Sequence, residues 1–118
     1  MTGSFTMRKR FMLVFALACF TPLGVLAGGD TAAGKTKANE AGCVTCHWQD
    51  GNGVSPRIPN VPKLAGQYAS FLAQALKDYK TGKRVNAIMS GFAANLTDED
   101  RENIAAYYAS QSGLRVLE

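Results

Sequence analysis

The sequence predicts a small all-α domain in which three main helices are joined by long loops. Three observations lead to this fold class. Apolar residues recur at helical spacing in two segments, a central stretch is rich in glycine and proline, and no segment alternates apolar and polar residues as a strand does. A chain of 118 residues that is 47% hydrophobic allows one globular domain and argues against disorder, collagen or a coiled coil.

The first predicted helix runs from Thr31 to about Ala41. Asp30 precedes it, and its carboxylate can accept hydrogen bonds from the free N–H groups of the first turn. Gly42 is placed to end it. A face of small residues would allow close packing, and it includes Gly34 and Ala38.

The clearest helix runs from Tyr68 to Lys80, and Gly82 ends it. One face carries an apolar stripe, formed by Tyr68, Leu72, Ala75, Leu76 and Tyr79. The last helix begins after Thr97, a capping residue followed by three acids that favour the positive end of a helix. It runs to about Gln111 with one face formed by Ile104, Ala105 and Tyr108.

Two segments between the helices are predicted to be mainly irregular. Residues 49–66 hold so many glycines and prolines that they must form an extended loop, which is long enough to wrap around something. Residues 83–96 are predicted to be irregular or briefly helical. Three short helices give a thin core for a domain of this size, so a bound cofactor could supply much of it.

The first 27 residues have the organisation of an export signal. A polar start ends in Arg8–Arg10, an apolar run follows over Phe11–Phe20, and Val25–Ala27 supplies the small residues of a cleavage site. The sequence therefore predicts a cleaved signal peptide over residues 1–27, a mature domain over residues 28–118 and a periplasmic location.

Two alternatives to cleavage stay open at this point. The segment could remain as an N-terminal anchor, although its apolar run is short for a bilayer span. It could belong to a lipoprotein modified at Cys19, although Leu17 stands where such a signal wants a small residue.

Cleavage would change the charge of the protein. The signal contains three of the 13 Lys and Arg residues and none of the nine acids, so the net charge would fall from +4 to about +1. A nucleic-acid-binding protein needs a basic surface that displaces counterions. The sequence therefore predicts no nucleic-acid partner.

The motif Cys43-Val44-Thr45-Cys46-His47 has the C-x-x-C-H pattern of c-type haem attachment. Two thiols one helical turn apart can each bind one vinyl group of a haem, and the adjacent imidazole can reach the iron. A thioredoxin-like redox pair would require a βαβ pattern, and a zinc site would require a second pair of ligands. A structural disulfide would not require His47.

A single methionine, Met89, remains after residue 27, as does the single histidine. Haem iron in electron carriers is commonly ligated by one histidine and one methionine. Met89 lies 42 residues after His47, in the segment predicted to be a loop, and is the candidate for the sixth iron ligand. The alternative is that Met89 only fills the core.

With these motifs the chain resembles a class I c-type cytochrome, and most of all a single-haem version of the bacterial cytochrome c4 type. The resemblance covers nearly all of residues 30–111. It rests on the attachment motif and on segments at residues 62–67, 78–84, 88–90 and 96–111. Two departures are noted: the c4 type carries two such domains and two haems, and Trp48 stands where relatives often have glycine.

The resemblance implies a small cytochrome c fold around one covalently attached haem c with its iron. It implies that the Pro62 carbonyl accepts from the His47 ring, a contact that makes the ligand more basic. Leu64 would pack on the haem face, and Arg84 would contact a haem propionate or lie free in solvent. Gly34 would meet Tyr107 or Tyr108 where the first and last helices cross.

Two functions follow from the resemblance. The first is an electron carrier that is not an enzyme and docks transiently with a donor and an acceptor protein, meeting membranes only through respiratory-chain partners. The second is the cytochrome subunit of a larger oxidoreductase, such as a sulfide-oxidising flavocytochrome or a terminal oxidase. Iron bound by both His47 and Met89 would leave no open position, which disfavours a haem enzyme.

A set of basic residues could form a docking patch for an acidic partner surface. The alternative is that some of them complement the negative end of the helix that ends near Lys80. The set consists of Lys63, Lys77, Lys80, Lys83 and Arg84.

Overall fold

The computed structural model describes residues 28–53 and 57–113. Its elements, in chain order, are α1 Thr31–Glu40, α2 Val44–His47, α3 Ala69–Thr81, α4 Ala87–Ala93 and α5 Asp98–Ala109. These residues contain no strand, and the predicted all-α class is confirmed. The predicted signal over residues 1–27 and the end of the predicted domain, residues 114–118, lie outside the described ranges. No helix within those ranges has both the length and the apolar character needed to cross a bilayer.

The crossing of α1 and α5 depends on a glycine. The N–H of Asp30, the residue that caps α1, donates to Oδ1 of Asn103 in α5 at 2.7 Å. A Cβ at Gly34 would lie 1.9 Å from the Asn103 carbonyl oxygen and 2.8 Å from Tyr107 Cβ. Any larger residue would force the helices apart. The predicted contact between Gly34 and one of the two tyrosines is therefore present, with Tyr107 as the partner.

The core lies between α1, α3 and α5. α3 packs against α5, and α4 packs against α3. The buried residues that form the core are Ala38, Leu72, Ala73, Leu96, Ile104, Ala105, Tyr107 and Tyr108. Half of this set comes from α5, which makes that helix the centre of the fold.

The ends of the helices follow the predicted signals. Gly42 and Gly82 have φ values of 76° and 77°, in the left-handed region where glycine is favoured after a helix. Thr97 and Asp100 form a reciprocal capping box at the start of α5. The Thr97 hydroxyl accepts from the Asp100 N–H at 3.0 Å, and the Asp100 carboxylate accepts from the Thr97 N–H at 2.9 Å.

The prediction that residues 83–96 are irregular or briefly helical is confirmed by α4, but the placement of Met89 on a loop is wrong, because Met89 lies in this helix. The Asn86 side chain caps this helix by accepting a hydrogen bond from the Met89 N–H at 3.0 Å. α4 has seven residues, of which only Ala93 is buried. A helix this short and this exposed leaves no apolar period in the sequence, so the prediction had no pattern to use.

Candidate functional site

A cavity of about 460 Å³ lies beside the attachment motif. Its volume falls in the range of sites that take cofactors and other small molecules, roughly 300–1,000 Å³. Every candidate site residue from the sequence lines it: Cys43, Cys46, His47, Pro62, Leu64, Arg84 and Met89. Four residues of the predicted α3 stripe also line it, namely Leu72, Ala75, Leu76 and Tyr79. Tyr68, the first member of that stripe, does not.

The attachment motif is folded into one compact turn. After α1 ends, the Cys43 N–H donates to the Ala38 carbonyl at 2.9 Å. The Cys43 carbonyl in turn accepts from the His47 N–H at 3.0 Å, which closes the first turn of α2. This turn presents two free thiols, Cys43 and Cys46, and the His47 imidazole to one cavity. Burial raises the pKa of the Cys43 thiol.

The His47 ring is held in one tautomer. Its Nδ1 lies 2.9 Å from the Pro62 carbonyl oxygen. Because a carbonyl can only accept, Nδ1 carries the hydrogen, and Nε2 keeps the lone pair that a metal ion needs. The ring is 5% exposed, and this burial lowers the pKa of His47, while the bond to Pro62 acts in the opposite direction. The ring is therefore neutral at pH 7, as a metal ligand must be.

Backbone hydrogen bonds fix the segment that carries Pro62. The Leu64 N–H donates to the Gly51 carbonyl at 2.7 Å, which ties this segment to the loop that follows His47. The Gly66 N–H donates to the Tyr108 carbonyl at 3.1 Å, which ties it to the end of α5. The Pro62 carbonyl is therefore held in position from two sides.

Two consecutive tyrosines of α5 bind the loop after His47. The Tyr108 hydroxyl donates to the Trp48 carbonyl at 3.3 Å, and the Tyr107 hydroxyl donates to the carbonyl of Gln49. The Gln49 amide nitrogen donates back to the Tyr107 hydroxyl at 2.8 Å. Burial raises the pKa of Tyr108, so its hydroxyl stays a neutral donor. The loop next to His47 is thus anchored to the most buried helix.

Trp48 has a backbone conformation that glycine adopts more easily. Its φ is 62° and its ψ is 168°, in a region that costs a residue with a Cβ of the order of 1–3 kcal/mol. The indole packs over Gly53, where an added Cβ would lie 2.0 Å from the indole Cγ. A glycine at position 48 would adopt this conformation without that cost.

The remaining candidate residues of the cavity differ in their burial and in the side chains that they contact. Met89 is partly buried, whereas Arg84 is exposed. The Arg84 guanidinium lies over the Tyr79 ring, 5.0 Å from its centre, in a cation–π contact. Leu64 is partly buried and packs against the core.

The sequence left other cavity residues unassigned. Phe71 lines the cavity with 52% of its surface exposed. Asn86 also lines it and caps α4. An asparagine three residues before Met89 is a capping signal that could have located the short helix. Phe71 carries no comparable signal.

The donor set fits a covalently attached haem. Two free thiols can form thioether links, a neutral imidazole can ligate iron, and a methionine thioether can do the same. The cavity between them is walled mainly by apolar side chains, which suit a porphyrin.

Comparison with known proteins supports this interpretation. Residues 31–112 match the family model for cytochrome c. The chain is 52% identical over 85 residues to cytochrome c4 of Pseudomonas aeruginosa, a match that covers 72% of this chain and 40% of that protein. It is 45% identical over 86 residues to cytochrome c-554(548) of Halomonas halodenitrificans, which covers 70% of this chain and 98% of that protein.

Solved structures share the fold. Cytochrome c4 of Acidithiobacillus ferrooxidans superimposes with a TM-score of 0.62 at 30% identity, covering 74% of this chain and 52% of that chain. Thiosulfate dehydrogenase from Marichromatium purpuratum superimposes with a TM-score of 0.62 at 29% identity, covering 70% of this chain and 19% of that chain. The chain thus spans about half the length of the cytochrome c4 proteins that it matches.

The family match extends from the start of α1 to beyond the end of α5 and includes every candidate site residue. The chain therefore belongs to the cytochrome c family, whose members transfer electrons by means of covalently bound haem c.

Proposed function

We propose that this chain is a periplasmic monohaem cytochrome c that passes single electrons between a donor and an acceptor protein. The observation that carries the proposal is that Cys43, Cys46, His47 and Met89 all line one cavity. When bound there, haem supplies a reversible Fe(II)/Fe(III) couple. In this proposal residues 1–27 are a cleaved export signal and residues 28–118 form the mature domain.

Each of the four residues has a separate role. Cys43 and Cys46 would hold the porphyrin through thioether bonds, and His47 and Met89 would ligate its iron. The bond from His47 Nδ1 to Pro62 at 2.9 Å fixes the ring and makes it a stronger donor. The Met89 thioether is a soft, neutral ligand that favours ferrous iron and raises the reduction potential.

Other cavity residues shield the site or bind the edge of the porphyrin. Leu64 packs on the porphyrin face, and Phe71 and Phe92 exclude water from it. Arg84 is a donor for a propionate if its guanidinium leaves the Tyr79 ring. If His47 and Met89 both ligated the iron, no position would remain for a substrate, and the protein would act as a carrier and not as an enzyme.

Charge favours a partner with an acidic surface. Residues 57–96 contain six Lys and Arg and one acid, whereas residues 98–102 contain four acids and one Arg. Lys63 and Arg84 line the cavity itself, and Lys77 and Lys83 are exposed. Lys80 makes a hydrogen bond within the protein, since its ammonium donates to the Leu96 carbonyl. A small interface that includes Lys63 and Arg84 at the cavity would suit brief docking and fast electron exchange.

A second candidate function is that of a cytochrome subunit in a larger oxidoreductase. The structural similarity to thiosulfate dehydrogenase favours it, because this fold occurs there within an enzyme.

Purification of the tagged protein from periplasm, followed by gel filtration and haem staining, separates the two functions. A carrier elutes alone, starts at Gly28, contains one haem per chain and titrates with one electron. A subunit elutes in fixed stoichiometry with an oxidoreductase. A protein without haem, or one retained in the cytoplasm, would contradict both.

A further inference from the structure

Helix α4, which carries Met89, is weakly held by the rest of the protein. It has seven residues, fewer than an isolated helix needs to be stable in water. Ala93 is its only buried residue, and Ile88 and Phe92 are 48% and 41% exposed. Ile88 and Phe92 line the cavity, so the packing of α4 on the rest of the described protein rests mainly on Ala93 and on its contact with α3.

The cap of α4 acts directly on the proposed ligand. The Asn86 side-chain oxygen accepts from the backbone N–H of Met89 at 3.0 Å, and the Asn86 carbonyl accepts from the Ser90 N–H at 2.8 Å. The hydrogen bond by which Asn86 caps the helix is thus also its bond to the backbone of Met89. Asn86 also lines the cavity.

A glycine inside α4 weakens the same helix. Gly91 follows Met89 by two residues, and an added Cβ would meet no atom within 4 Å. Its backbone is helical, so an alanine would fit without strain. Glycine in a helix interior costs stability relative to alanine because it loses more chain entropy on folding.

We propose that Asn86 is a positioning residue for the sixth iron ligand. By capping α4 it sets how firmly Met89 is held in the cavity and, through this, how readily a small external ligand replaces it. Gly91 acts in the opposite direction and keeps the helix easy to open. This inference rests on the proposed function, in which Met89 ligates the iron.

The test measures the affinity of imidazole for the ferric holoprotein. Asn86→Ala removes the cap, and we expect imidazole affinity to rise about fivefold, the factor that corresponds to a typical lost cap of ~1 kcal/mol. Asn86→Ser keeps a capping oxygen and should return the affinity to near that of the wild type. Gly91→Ala should lower the affinity by a factor of about two to five.

Thr97→Ala is the matched control, because it removes the cap of α5, a helix that carries no proposed iron ligand. It should lower the free energy of unfolding by about as much as Asn86→Ala does and leave the imidazole affinity unchanged. If Asn86→Ala behaves like Thr97→Ala, if Asn86→Ser does not rescue, or if Gly91→Ala has no effect, the inference is overturned.

Met89→Ala separates this inference from the function on which it rests. It should bind imidazole far more tightly than the Asn86 or Gly91 variants. If it binds imidazole no better than the wild type, Met89 is not the ligand, and the proposed closed site fails together with the inference. If it opens the site but the Asn86 variants do not, only the inference fails.

Discussion

The His47 side and the Met89 side of the cavity are built in opposite ways. His47 is 5% exposed, its ring binds the Pro62 carbonyl, and the loop after it is tied to α5 by Tyr107 and Tyr108. Met89 lies on a short helix that packs against α3 through one buried residue and begins at the Asn86 cap. One proposed ligand belongs to the core, and the other is carried by an element at its edge.

This difference shows where each side obtains its stability. The His47 side rests on part-buried hydrogen bonds within the protein. Ile88, Met89 and Phe92 of α4 line the cavity, where they would pack against a bound porphyrin. The cofactor should therefore stabilise the Met89 side more than the His47 side.

The largest expected effect comes from losing both proposed attachment cysteines, which lie on the His47 side. Cys43→Ser combined with Cys46→Ser should yield no covalent haem, and either single variant should leave one thioether and little accumulated protein. Mass spectrometry of protein made in a host with cytochrome maturation machinery checks this. A wild-type mass without haem would contradict the proposed attachment.

Removal of the haem should unfold most of the domain. Short helices around a cavity of about 460 Å³ bury too little apolar surface to offset the ordering of the chain. Circular dichroism of the apoprotein should show low helicity and no cooperative thermal transition. A native-like transition would mean that the fold is independent of the cofactor.

Matched glycine substitutions compare the scaffold behind His47 with the helix of Met89. Gly34→Ala would place a Cβ 1.9 Å from the Asn103 carbonyl oxygen. We expect it to lower the free energy of unfolding by roughly 3 kcal/mol, because neither backbone can yield. Gly91→Ala meets no atom and should stabilise the protein slightly. Equal effects of the two variants in urea unfolding would refute this contrast.

The smallest expected effect concerns one hydroxyl on the His47 side. Tyr107→Phe leaves the Gln49 carbonyl without the hydrogen bond from Tyr107 and should cost about 1 kcal/mol of unfolding free energy. Imidazole affinity of the ferric protein should not change, because α4 is untouched. A rise like that expected for Asn86→Ala would show that the two sides open together.

The sequence was most informative where the chemistry is local. Cys43, Cys46 and His47 share one turn, and the α3 stripe faces the cavity as its period indicates. The hydrogen bonds of Tyr107 to Gln49 and of Tyr108 to Trp48 join residues 58 and 60 positions apart, and no pattern marks such pairs. For residues 83–96 the sequence allowed a brief helix but did not place Met89 in it, because a cap and one buried alanine specify α4, and not an apolar period.

The most direct test of the His47/Met89 site is a redox titration with visible spectra of Met89→Ala beside the wild type, with Met89→His as the control. The alanine variant should become largely high-spin in the ferric state at neutral pH and bind cyanide quickly, since one axial position is open. The histidine variant should stay low-spin with a markedly lower potential. If Met89→Ala leaves both the spectrum and the potential unchanged, Met89 does not ligate the iron, and the closed-site mechanism is wrong.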